Sequence, residues 1–173
     1  PAHIIAAMDS IQSQSTSNPT SISQVAAEAA LNGDQCCITP MLSAFRERHR
    51  YVVDALNAIP GVSCVDSGGA FYAFPDASAA IAKLHAEGKL PDASDLALSE
   101  RLLEFGVALV PGSAFGSEGC IRISFATSMD NLKKAIERIA QALAWSRKIG
   151  RKLARVVDRK PRHPYYRGLS IPR

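Results

Sequence analysis

The chain has 173 residues, 47% hydrophobic and 21% charged, with a mean hydropathy of 0.00. This supports the core of one ordinary domain and excludes a largely disordered, collagen-like or low-complexity chain. The net charge of +4 is unevenly placed: residues 146–173 hold ten Lys or Arg against one Asp, a net +9, and the rest of the chain is a net −5. Basic charge belongs to the tail, so the body gives no reason to expect nucleic acid or an anionic membrane as partner. No run approaches the ~20 apolar residues of a membrane span, and PAHIIAAMDSIQSQ lacks the basic start of a signal peptide. Cys36, Cys37, Cys64 and Cys120 form no Cys-x-x-Cys pair, and the four histidines show no metal spacing. Free thiols in a reducing cytoplasm and no metal are the expectation.

In chain order, residues 10–20 (SIQSQSTSNPT) read as a polar connection with Asn18-Pro19 as a turn. A helix follows from Ser21 to Asn32, with Gly33 expected in the left-handed position after its last turn. Thr39 caps the next helix and Pro40 takes its first position. Met41, Phe45, Val52, Val53, Leu56 and Ile59 form its apolar stripe, with Arg46, Arg48 and Arg50 opposite, until Pro60-Gly61 stops it. Strands are expected at 62–65 and 70–74, separated by Ser67-Gly68-Gly69. A helix at 79–86 and another, capped by Asp92 or Ser94 and running to Gly106, precede a strand at 107–110. After the loop PGSAFG at 111–116, residues 121–125 alternate, with Ile121, Ile123 and Phe125 on one face and Arg122 and Ser124 on the other. Ser128 caps a last helix striped by Leu132, Ala135, Ile136, Ile139 and Leu143, with Asp130 in its first turn. Helices mixed with short strands give an α/β class with an α+β small domain.

Among these residues Arg122 has the strongest chemical reading. Its planar fork, on the strand face opposite the core, suits two parallel hydrogen bonds to a carboxylate; the other reading is a solvated arginine on an edge strand. PGSAFG could cradle a phosphate, but it lacks the spacing of the known glycine-rich phosphate loops. Ser13, Ser15, Thr16, Ser17 and Asn18 offer polar groups without a His and Asp at triad-like positions, and a polar loop is the plain account.

Several stretches together resemble one family. IQSQSTSNPTSISQVAAEAALNG at 11–33, NAIPGVSC at 57–64, GGAFYAFP at 68–75, LLEFGVALVPGSAFG at 102–116 and IRISFATSMDNLKKAIERI at 121–139 are similar, in order, to bacterial-type aspartate aminotransferases, class I pyridoxal-phosphate enzymes. The resemblance covers residues 1–143. It implies the C-terminal portion of the fold type I pyridoxal-phosphate-dependent transferase fold. Residues 1–33 would close the large cofactor domain, 34–58 would form a long interdomain helix, and 59–143 would form the small domain, leaving 144–173 as a basic tail, disordered or partly helical. It also implies that Arg122 binds the substrate's α-carboxylate, and that Ser15 and Asn18 belong to a loop approaching the active site of the neighbouring subunit of a homodimer. Substrates would be an amino acid and a 2-oxo acid, with aspartate the default and prephenate or an aromatic amino acid the alternatives.

The family's pyridoxal phosphate is carried on a lysine that lies, with the other cofactor ligands, upstream of the matching motifs. Lysines 83, 89, 133, 134, 148, 152 and 160 do not occupy that context, so this chain is expected to be a partial product, to bind no cofactor covalently, to supply no catalytic residue and to be inactive alone. A non-catalytic binding protein is the alternative: SRKIGRKLARVV, within the tail 146–173, can be drawn as a basic amphipathic helix.

Overall fold

A computed structural model describes residues 1–143; the basic tail and the helix or coil expected there lie outside the described residues. The chain divides into two compact units, Pro1–Met41 and the part from Leu42 onward.

In the first unit, α1 spans Ala2–Ser15, which corrects the polar connection expected from residue 10. Serine ordinarily competes with helix by bonding nearby backbone. Here Ser13 Oγ donates to the Ser10 carbonyl and Ser15 Oγ to the Ile11 carbonyl, both at 2.9 Å, so the hydroxyls are absorbed within the helix itself. Beyond its end the chain turns at Ser17, φ +59°, with Thr16 and Ser17 N–H both donating to the Gln12 carbonyl at 3.0 Å. Asn18 and Pro19 lie in an irregular connection. α2, Ser21–Asn32, has the expected bounds, and Thr20 caps it by accepting from Ser23 N–H.

Gly33 departs from its predicted left-handed conformation: its backbone is extended, φ −81° and ψ −173°. A glycine is needed there for room, since a Cβ would lie 2.7 Å from the Ala29 carbonyl oxygen. α1 and α2 bury no residue. Ile4, Ile5, Ile11 and Ile22 are exposed.

α3, Ile38–Asn57, crosses into the second unit. It starts one residue ahead of the Thr39 cap read from the sequence, and Pro40 still falls in the first turn, where no N–H is needed. His49, Val52, Val53, Ala55 and Leu56 are its buried residues. The strand expected at 62–65 is reduced to a single bridge between Ser63 and Asp76, because the side chain of Asn57 takes both backbone groups of Cys64.

β1 (Tyr72–Ala73), α4 (Ser78–Ala86), α5 (Asp95–Glu104), β2 (Val110–Pro111), a 3₁₀ turn (Gly112–Phe115), β3 (Ile121–Ser124) and α6 (Met129–Ala142) follow. Ser94, one of the two caps expected for α5, and Ser128, as expected for α6, accept from Ala97 and Asn131 N–H at 3.0 and 3.2 Å. The strand predicted at 107–110 shrinks to Val110–Pro111, since Val107 N–H is still bound to the Leu102 carbonyl at the end of α5 and Pro111 has no N–H to extend the ladder.

The sheet is antiparallel in the order β1-β3-β2. Tyr72 faces Ser124 and Ala73 faces Ile123 on one side of β3, while Val110 faces Arg122 on the other. Ile121, Ile123 and Phe125 point into a core completed by Leu56 and Ile59, Leu84 of α4, Leu98 and Leu102 of α5, and Ile136 and Ile139 of α6. Two arginines tie helix ends to neighbours: Arg101 Nε donates to the Ala142 carbonyl at 2.8 Å, and an Arg138 terminal nitrogen to the Gly106 carbonyl at 3.0 Å. Each brings a donor to a carbonyl at or just past a helix C-terminus, where the helix itself supplies none.

Candidate functional site

Because side chains alternate along β3, burying Ile121 and Ile123 leaves Arg122 half-buried on the outer face of the sheet. Antiparallel pairing places Tyr72 opposite Ser124, so Tyr72 lies on that same face, diagonal to Arg122. The guanidinium carbon of Arg122 sits 4.5 Å from the centre of the Tyr72 ring and 4.3 Å from that of Phe115. Both rings take the cation on their faces, where the π-quadrupole is negative. Phe115 is braced edge-on by Phe74, with centroids 6.1 Å apart and planes at 84°, and Tyr72 is in contact with Phe71 at 4.4 Å.

Phe115 reaches this position through the 3₁₀ turn. Gly112 N–H donates to the Cys120 carbonyl at 2.8 Å, and Ser113 N–H donates to Asp95 Oδ2 at 2.6 Å. Asp95 is buried at the start of α5, where a carboxylate also meets the positive end of the helix dipole. These bonds decide against a phosphate cradle in PGSAFG. Its Ser113 N–H is already given to a carboxylate, and the Gly116 and Ser117 N–H groups donate to the carbonyls of Ser113 and Gly112.

No carboxylate pairs with Arg122 among the described residues. With two aromatic rings against it, the guanidinium still has N–H groups suited to a planar anion. A guanidinium of this kind can receive a carboxylate through two parallel hydrogen bonds.

Ser15 and Asn18 belong to the first unit and Arg122 to the second. Ser15 ends α1 and uses its hydroxyl on the Ile11 carbonyl, so it stands in a helix where a loop was expected. No motif groups His49, Asp66 and Ser67, yet the fold does. His49 Nε2 is 3.1 Å from Ser67 Oγ, and Nδ1 is 3.5 Å from Asp66 Oδ1. The buried imidazole lies against Phe125 at 5.3 Å and fastens the segment leading into β1 to α3. Tyr72 and Phe115 are likewise absent from the residues singled out by pattern. A signal for Tyr72 exists in pairing AFYAF against IRISF, which sets an aromatic residue beside the arginine on one face.

Burial pushes the Cys64 thiol up, and Cys120 is raised by burial and by the charges of Asp76 and Asp95; neither favours a thiolate nucleophile. No group of His, Cys, Asp and Glu suited to a metal occurs among the described residues, and no described helix is long and apolar enough to cross a membrane.

The family model for class I and II aminotransferases matches residues 1–139. Among curated relatives, the aspartate/prephenate aminotransferase of Nitrosomonas europaea is 59% identical over 145 residues, covering 83% of this chain and 36% of the relative. The aspartate aminotransferase of Geobacillus stearothermophilus is 48% identical over 139 residues, 80% of this chain and 34% of its own length. The crystal structure of the aspartate aminotransferase from Rhizobium meliloti superposes with a TM-score of 0.69 at 43% identity, covering 83% of this chain and 36% of that one. The chain thus spans about a third of the length of the relatives it matches.

Proposed function

Since the chain belongs to the class I and II aminotransferase family, we propose that its second unit is the small, substrate-closing domain of an aspartate aminotransferase and that Arg122 receives the substrate's α-carboxylate. The fold is part of the fold type I transferase fold that its structural neighbours share. One observation carries the reading: a half-buried arginine with no carboxylate partner among the described residues, its guanidinium carbon 4.5 Å from the centre of the Tyr72 ring and 4.3 Å from that of Phe115. Two parallel N–H···O bonds to a carboxylate fix both the position and the orientation of an amino acid. Residues 1–33 are assigned to the large domain, 34–58 to the interdomain helix and 59–143 to the small domain. Ser15 at the end of α1 and Asn18 in the connection after it are assigned to the segment near the active site of a second subunit, in a cytoplasmic homodimer acting on aspartate and a 2-oxo acid.

The family depends on pyridoxal phosphate, which when bound supplies the electron sink for moving an amino group. The described lysines do not suit its covalent anchor. Lys83 and Lys89 both pair with Glu87, at 3.7 and 2.6 Å, and Lys133 and Lys134 stand in the first turns of α6; Lys148, Lys152 and Lys160 lie outside the described residues. The role assigned to this span is therefore recognition of the substrate. The alternative, a binding protein working through the tail, falls on residues outside the described ones and gains no support from the matches.

A chimera tests the proposal. Residues 1–143 replace the matching span of the Nitrosomonas europaea relative, and the purified protein is assayed for aspartate-dependent formation of oxaloacetate. Activity is expected, with Arg122→Ala raising the KM for aspartate at least about tenfold, the loss of a charge-assisted pair. A folded, cofactor-loaded chimera without activity, or one indifferent to Arg122→Ala, would overturn the reading.

A further inference from the structure

We propose that Tyr72 and Phe115 are positioning residues: they form an aromatic clamp that holds the Arg122 guanidinium flat and presents its N–H edge to the carboxylate of a free amino acid. This rests on the carboxylate reading of Arg122 and adds two residues to it.

A solvent-facing arginine on a short strand would ordinarily sample many rotamers, and fixing them on binding would weaken the complex. Here the guanidinium carbon lies 4.5 Å from the centre of one ring and 4.3 Å from that of the other. Swinging the guanidinium away would lose both contacts, whereas an anion that meets its N–H groups on a side away from the rings loses neither. The two rings come from separate parts of the chain, and each is independently anchored. Tyr72 is in β1, whose register with β3 is fixed by the Ala73–Ile123 pair on the core side. Phe115 ends the turn fastened by Ser113 N–H to the buried Asp95 carboxylate, and Phe74 meets its ring edge-on. The rings cover the cation without supplying a negative charge, so it remains available to a ligand.

The test uses the full 173-residue chain, with nuclear magnetic resonance of the Arg122 Nε–Hε group and L-aspartate as probe. In the free protein the Arg122 Hε signal should lie upfield, shielded by the two rings. It should move downfield in Tyr72→Ala and in Phe115→Leu, where a ring is lost. L-Aspartate should shift the same signal, and each variant should weaken its apparent Kd about fivefold, the scale of one cation–π contact. Tyr72→Phe, which keeps the ring, should bind as the parent does. Phe115 is half exposed, so Phe115→Leu reads the clamp even if Tyr72→Ala does not fold. An Hε signal at the ordinary position in the parent, or one unmoved by either ring deletion, overturns the clamp itself. A shielded Hε that ignores L-aspartate overturns the proposal through the carboxylate reading instead, and the two failures are told apart in the same spectra.

Discussion

Asn57 and Cys64 exchange two hydrogen bonds: Asn57 Nδ2 donates to the Cys64 carbonyl, and Cys64 N–H donates to Asn57 Oδ1, both at 2.8 Å. An asparagine amide carries the same donor and acceptor as a peptide group, so the last residue of α3 stands in for a neighbouring strand. Asn57→Ala leaves both backbone groups of the buried Cys64 without partners, and the cost should be about 1–3 kcal/mol. Urea unfolding should show a lower midpoint at unchanged slope. A midpoint within experimental error of the parent would mean that water takes over both bonds.

The same pair marks where local sequence reasoning stops. Alternation in IRISF is enough to place Arg122 opposite the core, and serine followed by a helical stripe is enough to find the cap at Ser128 and to narrow that of α5 to Asp92 or Ser94. These signals are local. The strand expected at 62–65 gives way because a side chain seven residues away takes its backbone bonds, a competition that composition does not announce. α1 runs through a stretch that reads as polar connection because serine counts as a weak helix former, although Ser13 and Ser15 turn their hydroxyls back onto the helix. The nearness of Tyr72 and Phe115 to Arg122 depends on strand register and on a turn fastened to a different helix, and neither is visible in a window of neighbouring residues. Arg122 itself rests on the family resemblance as much as on pattern, since alternation alone leaves a solvated edge-strand arginine open.

Asp76 should contribute a pH dependence. The Ser78 side chain, and after it the Ser78 N–H that donates to Asp76 Oδ1 at 2.8 Å, favour the ionised form and hold its carboxyl below the usual value. The folded pKa is thus lower than the unfolded one, so the unfolded chain binds more protons in the interval between them. The stabilisation is complete above the unfolded value, about pH 4, and is lost as pH falls through the folded value. Asp76→Asn keeps an acceptor oxygen without the charge. Its urea midpoint should fall less between about pH 5 and pH 3 than that of the parent, and parallel curves would rule out Asp76 as a source of acid sensitivity.

Ala70 offers a change of opposite sign. It adopts φ +63°, the left-handed region, while the adjacent Gly68 and Gly69 do not have positive φ. The Cβ of an L-residue crowds the following carbonyl in that conformation, at a cost of roughly 1–2 kcal/mol. Glycine removes the crowding and gives back part of the gain as chain entropy in the unfolded state. Ala70→Gly should therefore stabilise the chain by about 0.5–1 kcal/mol, seen as a raised thermal or urea midpoint. Destabilisation would show that the methyl group makes contacts worth more than the backbone strain.

Gly112 links stability to the geometry around Arg122. A Cβ at this position would overlap the Ser117 carbonyl oxygen and lie 2.7 Å from both Cβ and the carbonyl oxygen of Cys120, so the turn must open to accept it. Gly112→Ala should cost about 1–3 kcal/mol, as overpacking does, and should draw Phe115 away from the guanidinium it covers. Gly116 supplies the comparison: it has φ +76°, and a methyl group there would meet nothing within 4 Å, so Gly116→Ala should cost about 1–2 kcal/mol from conformation alone. If Phe115 is set by the close approach of backbone at Gly112, the Arg122 Hε resonance should move in Gly112→Ala and hold in Gly116→Ala, although both variants are less stable. Equal movement in the two would mean that the resonance follows general loosening of the turn rather than the seating of Phe115.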